Sequence, residues 1–154
     1  MDCAKYVLDA NVFIEAARRY YAFDIAPAFW ENLIQYATSG QLQGIDRVKQ
    51  ELERGKDELA AWTTSQFNSA FVSTDEEGII ESYSDVMRWV QAQSQFSDVA
   101  KADFANSADG WLIACAKSKG FVLVTHEVLD QVLKEKFPFL MFAMHFIYVM
   151  LTHL

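Results

Sequence analysis

Short apolar runs alternate along the chain with longer stretches in which apolar residues recur every three or four positions. That alternation predicts strands followed by amphipathic helices, and hence an α/β architecture. Tyr6 to Leu8 is a continuous apolar run, as expected of a strand covered on both faces. Asp9-Ala10-Asn11 then turns into a helix over Val12 to Arg19, with Asn11 the expected N-cap. Pro27 opens a second helix whose Trp30, Leu33, Ile34 and Ala37 share one face, and Ser39-Gly40 ends it. Leu42 to Ile45 reads as a short strand, Arg47 to Arg54 and Asp57 to Ser65 as helices, and Phe71-Val72-Ser73 as a third strand. Asp75 is expected to cap a longer helix carrying Ile79, Ile80, Tyr83, Val86, Met87 and Val90. Ala108 to Lys119 follows as a helix stopped by Gly120, and Phe121 to Val124 as the clearest strand. Glu127 to Lys136 completes the pattern as a helix that Pro138 prevents from continuing.

At 154 residues and 17.6 kDa the chain fits one compact domain over residues 1–154. With 52% hydrophobic and 14% aromatic residues it has the material for a real core, which excludes extended disorder. The net charge of −8 gives no overall attraction to nucleic acid. A polyanionic substrate would therefore need local basic patches and a bound cation. Cys3 and Cys115 are too few for a disulfide framework, and no signal peptide precedes the first strand, so a cytoplasmic location is expected. Phe137 to Leu154 carries no Asp, Glu, Lys or Arg. Such a tail could formally span a membrane, but Pro138, His145, Thr152 and His153 interrupt it. The favoured reading is a buried last strand around Phe146 to Met150, with further apolar surface covered by a partner such as a second copy.

Against this background four carboxylates stand out: Asp9 after the first strand, Glu51 and Asp109 on helices, and Glu127 just past the last clear strand. In an open parallel sheet ligands collect at the carboxyl ends of the strands, where Asp9 and Glu127 fall. Carboxylates beside an apolar core are costly unless a cation compensates them, and a hard divalent ion prefers oxygen ligands. Each also has a plainer reading: a helix N-terminal carboxylate for Asp109, a capping residue for Glu127, a solvated helix position for Glu51. Asp9 is the hardest to explain structurally, because a turn could have used Asn or Gly there.

The sequence around these residues adds to the case. Leu8-Asp9-Ala10-Asn11-Val12-Phe13-Ile14-Glu15 resembles the opening signature of the PIN domain, a nuclease family built on a parallel sheet. Val48 to Leu52 is similar to its second acidic motif, Ala108 to Ala116 to its third, and Val122-Leu123-Val124-Thr125-His126-Glu127 to its fourth. Arg18 to Asp24 with Phe29-Trp30 resembles a branch close to VapC-type toxins. The resemblance implies a three-layer α/β/α fold with a short central parallel sheet of four or five strands. It implies that Asp9, Glu51, Asp109 and Glu127 hold one or two Mg²⁺ or Mn²⁺ ions, while Asn11 and Thr125 orient a carboxylate, a water or the phosphate. It also implies an endoribonuclease of the toxin–antitoxin kind, silenced by an antitoxin protein. The sequence departs from the family's pattern in the longer Glu127 at the fourth position and in the apolar tail 137–154.

Arg18, Arg19, Arg47, Lys49, Arg54 and Lys56 are the cations near such a site, and Tyr20, Tyr21 and Phe23 could stack on unpaired bases. Arg18 and Arg19 are the expected RNA contacts; solvated helix faces and core packing are the plainer alternatives. Two other functions are open: a binding module that kept the scaffold without turnover, and a phosphatase with an Asp after its first strand. The phosphatase reading is disfavoured because Asn11 occupies the position where haloacid-dehalogenase-like enzymes need a second Asp.

Overall fold

A computed structural model describes residues 3–126 and the backbone of residues 149–151. Five strands pair in parallel in the order β3-β2-β1-β4-β5, with β1 over Tyr6–Leu8, β2 over Leu42–Ile45, β3 over Phe71–Val72, β4 over Val122–Thr125 and β5 over Val149–Leu151. β1 is central: Tyr6 is in register with Leu42 on one side and with Val122 on the other. The last strand expected around Phe146 to Met150 is met by β5 over Val149–Leu151; Phe146 to Tyr148, the expected helix over 127–136 and most of the tail lie outside the described residues.

The helices are α1 (Ala10–Glu15), α2 (Pro27–Thr38), α3 (Asp46–Glu53), α4 (Glu58–Ser65), α5 (Glu77–Ala92), α6 (Asp98–Asn106) and α7 (Asp109–Lys119). Parallel crossovers are right-handed. The chain moves outward from β1 to β2 and β3 and then crosses back to β4, so α1–α4 cover one face of the sheet and α5–α7 the other. The α/β architecture with helices on both faces is the expected one. No helix among the described residues is long and apolar enough to cross a membrane.

Each layer has its own core. On the α1–α4 side, Phe13, Trp30, Trp62 and Phe67 are buried together, with Phe13 edge-on to Phe67 at 5.6 Å and Trp62 stacked on Phe67 at 4.7 Å. On the other side Ile79, Val86 and Val90 of α5 pack with Leu112, Ile113 and Cys115 of α7. Ion pairs bracket that contact, Lys117 to Asp85 at 2.6 Å and Lys119 to Glu76 at 2.9 Å. The ammonium of Lys117 donates to Asp85 and holds its carboxyl below the usual range.

Local detail departs from expectation at three helix starts. Asp9, not Asn11, is the N-cap of α1: its Oδ1 accepts from the backbone N–H of Ala10 at 2.7 Å, and Asn11 lies within the first turn. Asp75 does not cap α5, which begins at Glu77; Asp75 sits in the preceding turn, where its N–H donates to Ser73 Oγ. α6 has no counterpart in the hydrophobic pattern because Phe104 is its one buried side chain; Ser97 caps it by accepting from Ala100 N–H at 3.1 Å. After Glu15 the first helix widens into a π-helical turn over Ala16–Tyr20, a form that recurs at functional sites.

Two tests follow from this packing. A Cβ at Gly44 would meet the Phe71 ring at 2.6 Å, and Phe71 is itself tilted against Phe13 at 6.4 Å and edge-on to Phe67 at 5.5 Å. Gly44→Ala is expected to destabilise by about 1–3 kcal/mol, as overpacking does, read as a lowered midpoint in urea with unchanged slope. Burial pushes the Cys115 thiol up to about 11, and Gln43 Nε2 donates to its sulfur at 3.3 Å. The folded state thus keeps a proton that the unfolded chain loses first. This contribution is intact below pH 9 and is lost as pH rises towards 11. At pH 8 a thiol reagent should count one reactive cysteine, the exposed Cys3, and two once the protein is unfolded.

Candidate active site

β1 and β4 are adjacent, yet the chain leaves them in opposite directions, β1 towards β2 and β4 towards β5. The crevice outside their carboxyl ends is the topological switch point, where α/β sheets gather ligands. Asp9 directly follows β1 there and is 7% exposed. Its Oδ2 accepts from the hydroxyl of Thr125, the last residue of β4, at 2.9 Å. Just beyond these partners, the backbone N–H of His126 donates to Asn11 Oδ1 at 3.2 Å. Residues 115 and 116 positions apart thereby fix two polar side chains of the first motif against the end of the fourth.

Glu51 and Asp109 meet elsewhere on the same edge. A helix that follows a parallel strand starts at the carboxyl edge, and one that precedes a strand runs antiparallel to it, so the N-termini of α3 and α7 both lie there. Glu51 in the second turn of α3 and Asp109 at the start of α7 line one cleft of about 490 Å³. Arg47, Gln50 and Arg54 line it from α3, and Asp103 from α6. The backbone N–H of Asp109 donates to the Ser107 hydroxyl at 3.3 Å. Glu51 is exposed and Asp109 half-buried. Glu127 lies outside the described residues, so the fourth carboxylate is not placed.

Sequence reasoning started α3 at Arg47 and passed over Asp46, which follows β2 just as Asp9 follows β1. Asp46 Oδ2 accepts from the backbone N–H of Thr74 at 3.1 Å and from its hydroxyl at 3.3 Å, tying the end of β2 to the segment after β3. Asp46 Oδ1 is buried and accepts no hydrogen bond among the described residues. The available signal was the position of an acid immediately after a strand. Arg47 Nε donates to the same Thr74 hydroxyl at 3.2 Å, and its guanidinium lies 4.3 Å over the Trp111 ring. Trp111 in turn stacks on Tyr83 at 3.7 Å, whose hydroxyl burial holds above its ordinary pKa.

The expected RNA contacts sit at the surface: Arg18 is 3.9 Å from Asp57, and Arg19 pairs with Glu15 one turn earlier at 3.0 Å. Of the three aromatics, Tyr21 stacks on Phe29 at 4.3 Å and Phe23 on Trp30 at 4.1 Å, so both belong to the core cluster. Tyr20 is different: exposed, and edge-on to the His126 ring at 6.4 Å beside the switch point. Among the described residues, no three His, Cys, Asp or Glu side chains converge closely enough to hold a metal ion.

The fold is similar to that of a chain in the crystal structure of VapBC2 from Rickettsia felis bound to a DNA fragment from their promoter. The TM-score is 0.58 at 15% identity, over 96% of this chain and 98% of that chain. At this identity the likeness is one of fold. No curated protein matches the sequence. Residues 6–152 match the family described as a domain of unknown function, DUF4411, a span that takes in both strand-end carboxylates, the cleft and all five strands. The chain is a member of the DUF4411 family.

Proposed function

We propose that the protein is a Mg²⁺- or Mn²⁺-dependent endoribonuclease that hydrolyses RNA phosphodiester bonds, acting in the cytoplasm as the toxin of a toxin–antitoxin pair. The observation that carries this reading is the buried Asp9 locked to Thr125 at the switch point of a PIN-like sheet. The PIN-like motifs of the sequence and a fold likeness to a VapBC2 chain support it.

The donor chemistry fits a hard cation in kind: Asp9, Glu51 and Asp109 offer carboxylate oxygens alone. In number it fits only with Glu127, because no three such groups converge among the described residues. A bound divalent ion supplies Lewis acidity and a more acidic water. The chain's own contribution is positioning. Ala10 N–H and the Thr125 hydroxyl each donate to one oxygen of Asp9 and fix its orientation. Asn11, its oxygen held by His126 N–H, keeps its amide hydrogens for a phosphate oxygen or a water. Glu51 and Asp109 face the cleft beside this edge, and Arg18 and Arg19 offer charge to the RNA strand.

The absence of a three-carboxylate cluster among the described residues favours one competing reading, a PIN-like module that binds RNA or protein without turnover. Melting in the presence of metal separates the two. At a hundred times Kd, Mn²⁺ should add about 2.7 kcal/mol, raising Tm by roughly 5–10 °C; no shift at millimolar Mn²⁺ selects the binding module. In a cleavage assay on single-stranded RNA, Asp9→Asn is expected to lower the Mn²⁺-dependent rate by about three orders of magnitude, several kcal/mol of lost transition-state stabilisation. Undiminished cleavage by that variant rejects the assignment. Thr125→Val removes one hydrogen-bond donor from a buried carboxylate and should cost about 1–3 kcal/mol, whereas Thr125→Ser should restore both stability and rate.

A further inference from the structure

Of the lysines and arginines among the described residues, about half are neutralised in place, and Lys5, Lys56 and Lys101 are not. Arg18, Arg19, Lys49, Arg88, Lys117 and Lys119 each face a carboxylate within 4.0 Å. Arg47 and Arg54 do not: among the described residues neither has a carboxylate within ion-pair distance, although the protein carries 21 acidic residues against 13 basic ones. Both lie on α3 seven positions apart, on the same face as Gln50 and Glu51, and all four line the cleft. In a protein of net charge −8, two exposed guanidiniums without a carboxylate partner, side by side on the cleft wall with Glu51, are available to an anion from outside.

Arg47 is also pre-organised. Its Nε is committed to Thr74 and its flat face to Trp111, which holds the side chain in one place and leaves its terminal N–H groups for a ligand. A planar fork held this way matches the oxygens of a phosphate. The cleft, about 490 Å³, is large enough for a nucleotide-sized group. We propose that Arg47 and Arg54 form the phosphate-binding rail of this protein, gripping successive backbone phosphates of a single-stranded RNA and laying the strand across Glu51 and Asp109. The proposal rests on the ribonuclease reading for the identity of the polyanion. The cleft face of α3 is thereby a stronger RNA contact than the carboxylate-paired Arg18 and Arg19.

The test measures binding without turnover: anisotropy of a fluorescein-labelled single-stranded oligoribonucleotide titrated with protein in EDTA, over a series of salt concentrations. Each phosphate contact contributes about 0.7 to the slope of log K against log salt for a single strand. Arg54→Ala is expected to weaken binding roughly tenfold and to lower the slope by about 0.7. Arg47→Lys, which keeps the charge but loses the fork, should weaken affinity with little change in slope. Arg88→Ala, on α5 and paired with Asp85, should change neither. Arg54 lies at the exposed end of α3, so its variant should fold even if replacement of the stacked Arg47 disturbs packing; equal melting temperatures check this. An unchanged slope and affinity in Arg54→Ala overturns the proposal, as does absence of RNA binding by the unaltered protein. RNA bound through Arg47 and Arg54 but never cut with Mn²⁺ would refute the nuclease and leave the rail standing.

Discussion

The hydrogen bond from Thr125 to Asp9 is the contact on which the arrangement of the carboxyl edge depends. It joins the ends of the two central strands at the point where the topology opens a crevice, and it does so with groups buried from water. A buried carboxylate demands donors, and here one comes from its own helix start and one from the end of the neighbouring strand. The Thr125 donor is in place only when β1 and β4 pair in the observed register, with Leu8 opposite Val124. Fold and site are thus specified by the same pairing.

Asp46 repeats the device one strand pair outward. In each case an acid directly after a strand accepts from a threonine supplied by the neighbouring strand's end. The second instance does mechanical work: Thr74 is held by Asp46 and receives the bond from Arg47, whose guanidinium leans on Trp111. A chain of contacts therefore runs from the sheet edge through α3 to α7 and, by the Trp111–Tyr83 stack, to α5. The cleft is lined by α3 from one helical layer and by α6 and α7 from the other, and this chain of contacts links its two walls.

Much of this was legible in the sequence because it rested on burial. The strands at Tyr6–Leu8 and Leu42–Ile45 lie at the positions read from the pattern, and Pro27 and Gly120 mark a helix start and stop as expected. What failed to register was held by polar contacts. α6 buries little beyond Phe104 and leaves almost no periodic trace. Asn11 has the chemistry of a cap, yet the residue two places earlier was already positioned to cap, which freed Asn11 for a partner beyond β4. Asp46 and the anchoring of Arg47 depend on Thr74, and periodicity carries no information about a partner so far along the chain. The pairing of Asp9 with Thr125 could be expected only as a shared edge; the geometry supplied the bond.

One margin of the sheet ends in β3, which contains only Phe71 and Val72 and is anchored by the aromatic cluster beneath it. Two residues present too few unpaired backbone groups to template an incoming strand, so this side resists edge-to-edge aggregation and offers no foothold for β-augmentation by a partner. A partner approaching this margin would therefore have to grip side chains rather than backbone.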